Sequence, residues 1–178
     1  LEANPADERA SNAPSLLCSC GGETLWLALL ESPVVLLAGT ADFSAAACGD
    51  GSLLVFTRAG RRALPAIRAV SSPIALHAAF DGGSLVVVGA KGDVVVWRGM
   101  PLTPRCHLRC DASAVVAGAR GALRASFDAA GSPLLSLGSG CFCYRPELQS
   151  WLTLTASFSA SVYTDTLAAD ASVTRPAV

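Results

Sequence analysis

Short apolar runs that recur at a fixed spacing predict an all-β fold. Pro33 and Pro73 are 40 positions apart, and Phe56 and Trp97 are 41 apart. Each repeat holds about four runs that can form strands, separated by glycine-containing turns, which is the pattern of β-propeller blades. The sequence therefore predicts a partial, WD-repeat-like β-propeller of two to three blades. Because so few blades do not close a ring, we expect it to be a fragment of a larger propeller-like domain.

The first repeat follows a polar N-terminal stretch. Residues 1–15 are expected to be a disordered tail or linker, and residues 18–22 a turn. The next expected strands cover 23–30, 32–37, 43–48 and 52–57, and the fourth strand of the repeat opens at 60–64. Asp50-Gly51 joins two of these strands, because glycine accepts the positive φ of a tight hairpin turn.

The second and third repeats follow the same order. Strands are expected at 84–88, 93–98, 132–137, 141–144 and 151–154. The alanine-rich stretch 112–130 is expected to hold either a short helix or a strand over 122–128. Phe56, Trp97 and Tyr144 mark the end of the third strand in each repeat. Residues 16–155 are therefore the predicted β domain, and residues 156–178, where the pattern is lost, are a predicted loop or disordered tail.

Composition narrows the range of functions. The chain is 52% hydrophobic and 15% charged, with a net charge of −1. A surface this poor in charge favours a module that packs against other subunits. The sequence has no cluster of basic residues, so we expect no direct nucleic-acid binding from this region. It also lacks an uninterrupted run of about 18 apolar residues, so we expect no membrane span.

The cysteines are the best candidates for a metal site. There are seven of them: Cys18, Cys20, Cys48, Cys106, Cys110, Cys141 and Cys143. Structural zinc sites commonly use cysteine pairs with about two to four residues between them. Only Cys106 and Cys110, with His107 beside Cys106, have this spacing. The alternative, which we favour, is that all seven are reduced thiols that pack as small hydrophobic side chains. We therefore expect no metal and no cofactor.

A catalytic role would need a serine or cysteine nucleophile beside a histidine base. His77 and His107 are the only histidines in the chain. His77 falls within a predicted strand, where a hydrogen-bonded structural role is the simpler interpretation. Neither a G-x-S-x-G sequence nor a phosphate-binding loop is present. The sequence therefore predicts a protein that is not an enzyme.

Two features are candidates for contacts with other proteins. Arg61 and Arg62 follow the turn glycine Gly60, and they either contact an acidic partner or, as we favour, are solvated. Trp97 is either a core aromatic residue or an anchor for a partner, since tryptophan is enriched at binding hot spots. The predicted self-association or partner surface therefore comprises Trp97, Arg98, Arg61 and Arg62.

Several short blocks occur in an order that resembles one protein family. They are FTRAGRRALP at 56–65, SPIALH at 72–77, VVVW at 94–97, GSPL at 131–134, and GCFCY at 140–144 followed by Leu148-x-x-Trp151. This order is similar to the C-terminal region of the HIRA/Hir histone-chaperone family, also called the TUP-like enhancer of split domain. The resemblance covers residues 23–154. It departs from the family at Trp97-Arg98, where the family has Trp-Asp.

The resemblance implies a function in chromatin. It implies a non-enzymatic scaffold in a nuclear complex that deposits histones independently of DNA replication, with effects on nucleosome assembly and on transcription, including repression. The implied partners are the other subunits of a HIRA-type complex, further copies of the chain in a homotrimer, and histones indirectly. Two alternatives stay open: a generic WD-repeat-like adaptor that is not tied to chromatin, and a small metal-dependent enzyme that uses the cysteines.

Overall fold

The structure is a computed structural model that describes residues 2–4, 13–79, 83–117 and 121–156. These residues form fifteen strands and one short helix, grouped in four antiparallel sheets. The predicted all-β, propeller-like fold is confirmed, with four sheets where two to three blades were predicted. In this part of the chain no helix is both long enough and apolar enough to cross a membrane.

The first two sheets come from the N-terminal part of the chain. The first sheet has three strands: β1 (Glu2–Asn4), β2 (Ser15–Cys20) and β3 (Glu23–Leu29). The second has four strands: β4 (Val34–Gly39), β5 (Phe43–Cys48), β6 (Ser52–Thr57) and β7 (Ile67–Arg68). Strands that follow each other in sequence pair in an antiparallel ladder, so each sheet is a simple meander.

The other two sheets repeat this plan. The third sheet contains β8 (Pro73–Ala79), β9 (Ser84–Gly89), β10 (Asp93–Arg98) and β11 (Arg105–Asp111). The short helix α1 (Ser113–Ala117) leads into the last sheet. The fourth sheet contains β12 (Arg124–Phe127), β13 (Pro133–Leu137), β14 (Gly140–Arg145) and β15 (Ser150–Ala156).

The first strands of the four sheets lie next to one another, on the inner side of the molecule. Strand β8 contacts both β4 and β12, and β1 contacts β4. The chain therefore enters each sheet at its inner strand and leaves it at its outer strand, as in propeller blades. Phe56, Trp97 and Tyr144 occupy the fifth position of β6, β10 and β14, and all three are buried. The equivalence that the sequence predicted for these aromatic residues is confirmed.

Strand alternation divides the core into layers between adjacent sheets. In β10, Val95 joins the cluster shared with the second sheet, and Val96 joins the cluster shared with the fourth. Successive side chains of a strand point to opposite faces, so one central strand supplies both layers. A third layer, which includes Leu16 and Phe56, lies between the first and second sheets.

Four local predictions differ from the structure. Residues 18–20 belong to β2, so the turn is confined to Gly21 and Gly22, both with positive φ. The fourth strand of the first repeat is in two pieces: Arg62 forms an isolated bridge with Phe56, and β7 follows after Pro65, which has no N–H for a ladder bond. Residues 2–4 form β1 within the expected tail. The stretch 112–130 holds both α1 and β12. Residues 157–178 lie outside the described residues.

Candidate interaction surface

Trp97 lies in the core between the second and third sheets. Its side chain is 6% exposed and belongs to a cluster with Phe43, Leu85 and Met100. Of the two interpretations that the sequence left open, the structure places Trp97 as a core aromatic residue. Its role in partner contacts stays a prediction. A side chain this buried would act on an interface through the shape of the blade that it supports.

Arg98 points to the opposite face of β10. Its Nη2 donates a hydrogen bond to the carbonyl oxygen of Gly131 at 3.3 Å. Gly131 lies in the turn between β12 and β13, so this contact joins the third sheet to the fourth. The side chain of Arg98 is otherwise exposed. Trp97 and Arg98 therefore serve different faces of one sheet, as strand alternation requires.

Arg61 and Arg62 are exposed in the loop after β6. Arg62 forms an isolated backbone bridge with Phe56, which keeps the loop close to its own sheet. Gly60, with φ of +76°, lies under the Trp26 ring of β3, and a Cβ at this position would overlap that ring. The loop that carries the two arginines is therefore held to the second sheet at Arg62 and packs on the first at Gly60.

The predicted surface is thus distributed over the molecule. Trp97 and Arg98 are neighbours on one strand of the third sheet and face different layers. Arg61 and Arg62 belong to a loop of the second sheet that packs on the first. Contact of all four residues with one partner would require a partner that spans several blades.

Sequence reasoning missed an open apolar edge on the first sheet. Among the described residues β3 is the outermost strand there, whereas each of the other sheets has a fourth strand outside the third. The link between β3 and β4 is residues 30–33 alone, and it holds no further strand. Leu25, Leu27 and Leu29 share one face and are 59%, 59% and 72% exposed. The alternation in ETLWLALL was the available signal for this face.

The cysteines are free thiols on different sheets. The pairs 18/20, 106/110 and 141/143 lie on β2, β11 and β14, which belong to three sheets. Cys106 is exposed, while Cys143 is buried. Burial raises the pKa of Cys110 to about 12, so this group is a protonated thiol at neutral pH. Within the described ranges, no three His, Cys, Asp or Glu side chains come close enough together to hold a metal ion.

A polar cluster fixes the turn that contacts Arg98. Arg145 Nη1 donates to Asp128 Oδ2 at 2.8 Å, and the Ser132 amide donates to Asp128 Oδ1 at 2.7 Å. Burial alone would raise the pKa of Asp128, but the hydrogen bonds from Ser132 and Arg145 outweigh it and lower the pKa. The ionised carboxylate therefore stabilises the turn that presents the Gly131 carbonyl.

The two histidines occupy different environments. The ring of His77 in β8 lies 5.9 Å from that of Phe127 in β12, tilted by 50°. This contact joins the inner strands of the third and fourth sheets, as expected of a structural residue. His107 is exposed on β11, where partial burial of the ring and the charge of Arg98 lower its pKa. His107 is therefore mostly neutral at neutral pH.

Comparison with known proteins identifies relatives over most of the chain. No family model matches it. The HIRA proteins of Oryza sativa subsp. japonica and Zea mays are each 31% identical over 176 residues, which covers 86% of this chain. The chain belongs to the HIRA/Hir1 family. The resemblance predicted from the sequence blocks is thereby confirmed. This HIRA-family chain spans 18% of the length of the rice and maize proteins.

A sequence match over a shorter stretch and two solved structures are also similar to this chain. The hir1 protein of Schizosaccharomyces pombe is 36% identical over 76 residues, or 43% of this chain. The crystal structure of HIRA(644-1017) matches 80% of the HIRA-family chain with a TM-score of 0.58 and 23% identity, and 45% of that structure is covered. The computationally designed Ika8 protein matches 72% with a TM-score of 0.51 and 19% identity. These structural likenesses show the fold alone.

Proposed function

We propose that this chain is a non-enzymatic scaffold and subunit-interaction region of a HIRA-type histone chaperone in the nucleus. It supports replication-independent nucleosome assembly and, through it, chromatin organisation and the regulation of transcription. The observation that carries the proposal is 31% identity with the rice and maize HIRA proteins over 86% of the chain. The open edge of the first sheet supports a docking role, because unpaired apolar strands favour association.

The proposed partners are other subunits of the complex and further copies of the chain, assembled as a homotrimer. Histones are reached indirectly. Arg105 and Arg109 on the outer strand β11 are exposed, and their charges would repel rather than attract a basic histone tail. A scaffold that docks other subunits fits this charge distribution better than a direct histone receptor.

The surface proposed for self-association comprises Trp97, Arg98, Arg61 and Arg62. Because Trp97 is buried, Trp97→Ala is compared with Trp97→Phe, which keeps an aromatic ring in the core. We expect Trp97→Ala to lower the oligomeric mass of the intact protein in light scattering. An unchanged mass for a folded Trp97→Ala variant would remove Trp97 from the proposed interface.

The chromatin role is tested in cells that are not replicating their DNA. The protein is depleted from cells held before DNA replication, and incorporation of a newly synthesised, pulse-labelled histone into chromatin is measured. We expect incorporation to fall and to recover when the protein is re-expressed. Unchanged incorporation after complete depletion would favour the alternative, an adaptor that is not tied to chromatin.

A further inference from the structure

Two arginines face each other at one end of the third sheet. Arg98 ends β10, Arg105 begins β11, and the two are register partners. Directly opposed residues share a sheet face, with Cβ atoms about 5 Å apart, and like charges in this arrangement destabilise the strand pair. Among the described residues, the two salt bridges involve other arginines. The pair therefore concentrates positive charge that the described part of the chain does not neutralise.

A register shift brings a third basic side chain to the same place. Val96 pairs with Leu108 and Trp97 pairs with Cys106, so His107 is an extra residue in β11. Arg98 pairs with Arg105 and Trp97 with Cys106, so His107 follows directly along this end of the ladder. Alongside partial burial of the ring, the charge of Arg98 contributes to the lowered pKa of His107. Arg98, Arg105 and His107 are all exposed.

Arg98 and its register partner Arg105 lie on one face of the sheet. Arg98 follows the alternation of Val96, which packs in the layer shared with the fourth sheet. Arg109 pairs with Val95, which packs in the layer shared with the second sheet. Arg109 is therefore an exposed arginine on the same edge strand that points to the opposite face.

The guanidinium of Arg98 is already held in position. Its Nη2 donates to the Gly131 carbonyl at 3.3 Å, which leaves its other N–H groups for a further acceptor. Asp128 lies in the same turn, but Arg145 binds its carboxylate at 2.8 Å. A guanidinium that is fixed and lacks a carboxylate partner is prepared for a bidentate contact with an anion.

Protection of a sheet edge accounts for only part of this charge. Charged residues and bulges on an edge strand discourage pairing with other chains, which explains Arg105 and His107 on β11. It does not explain Arg98, because β10 is an interior strand. A nucleic acid would need a larger basic footprint than this, and the chain carries a net charge of −1.

We propose that Arg98, Arg105 and His107 form a docking site for an acidic segment of a partner protein, with the partner's carboxylates supplying the missing counter-charges. The inference deepens the docking role proposed above and rests on it. It also defines the chemistry of one partner: an exposed peptide rich in aspartate or glutamate.

The test is fluorescence anisotropy on the purified intact protein. The probe is a fluorescein-labelled peptide of eight glutamates between glycines, and the comparison probes are its glutamine counterpart and a labelled single-stranded oligothymidine. The variants are Arg98→Ala, Arg105→Ala and, as matched control, Arg109→Ala. Circular dichroism checks that each variant is folded. The measurement uses no other subunit, so it can fail while the proposed chaperone role stands.

We expect the glutamate peptide to bind in low salt and each of Arg98→Ala and Arg105→Ala to weaken binding about fivefold, which is the upper range for an exposed charge pair. Arg109→Ala should bind like the wild type, and the glutamine peptide should not bind. The proposal is wrong if folded Arg98→Ala and Arg105→Ala bind normally, or if Arg109→Ala loses as much affinity as they do. Binding of the oligothymidine with the same dependence on Arg98 would replace it with a nucleic-acid site.

Discussion

Truncation of Trp97 measures how strongly the second and third sheets depend on each other. Its indole is 6% exposed and fills the layer between them beside Phe43 and Leu85. Trp97→Ala removes almost the whole contribution of a buried aromatic side chain and leaves a cavity, at a cost of about 3–5 kcal/mol in unfolding free energy. Small domains have about 5–15 kcal/mol in total, so the loss is a large fraction of the stability of the fold.

The assay is urea unfolding followed by far-ultraviolet circular dichroism. Trp97→Phe should lose less stability than Trp97→Ala, because the smaller ring still fills part of the layer. Arg98→Ala is the control on the same strand, and it should change the unfolding free energy by less than about 1 kcal/mol because the side chain is exposed. A loss below about 1 kcal/mol for Trp97→Ala would refute the core placement.

Three other predictions follow from local geometry. Gly60→Ala should destabilise the fold by about 1–3 kcal/mol, because a Cβ would overlap the Trp26 ring and φ is +76°; urea unfolding no different from wild type would contradict this. At mildly alkaline pH, iodoacetamide should modify the exposed Cys106 well before Cys110, because burial raises the pKa of Cys110 to about 12. Peptide mass spectrometry measures the two rates, and equal rates would contradict this prediction. The pKa of Asp128 is lowered in the fold, so its stabilisation is present above the ordinary value of 3.8 and is lost as pH falls through the folded value. Asp128→Asn should therefore flatten the acid limb of the stability profile, and an unaltered limb would argue against the Arg145 contact.

The sequence predicted the repeated hairpins well because their signals are local. The strands predicted at 132–137 and 141–144 are β13 and β14, separated by Gly138 and Ser139, and Pro146, which has no N–H for a ladder bond, follows the end of β14. The aromatic residue at the fifth position of each third strand also follows from the repeat. These features need no knowledge of which sheets pack together.

The remaining features depend on contacts between sheets. Trp97 is buried because the second sheet packs on the third. The residue pattern of strand β10 alone does not predict this packing. The pairing of Arg98 with Arg105 depends on a bulge at His107, and the residue pattern RCHLRCD does not predict that bulge. The leucine face of β3 at Leu27 was visible as alternation, but its exposure depends on whether another sheet packs on that face, and none of the described sheets does.

We propose that this chain performs the function of the corresponding segment of the HIRA proteins. The most direct test replaces that segment of the rice HIRA protein, which is 31% identical, with this chain in plants that lack the native protein. Incorporation of labelled histone into chromatin is then measured in non-replicating cells. We expect the chimera to restore incorporation of the labelled histone, whereas a HIRA protein with the segment deleted should not restore it. A chimera that accumulates normally and leaves incorporation at the level of the deletion would contradict it.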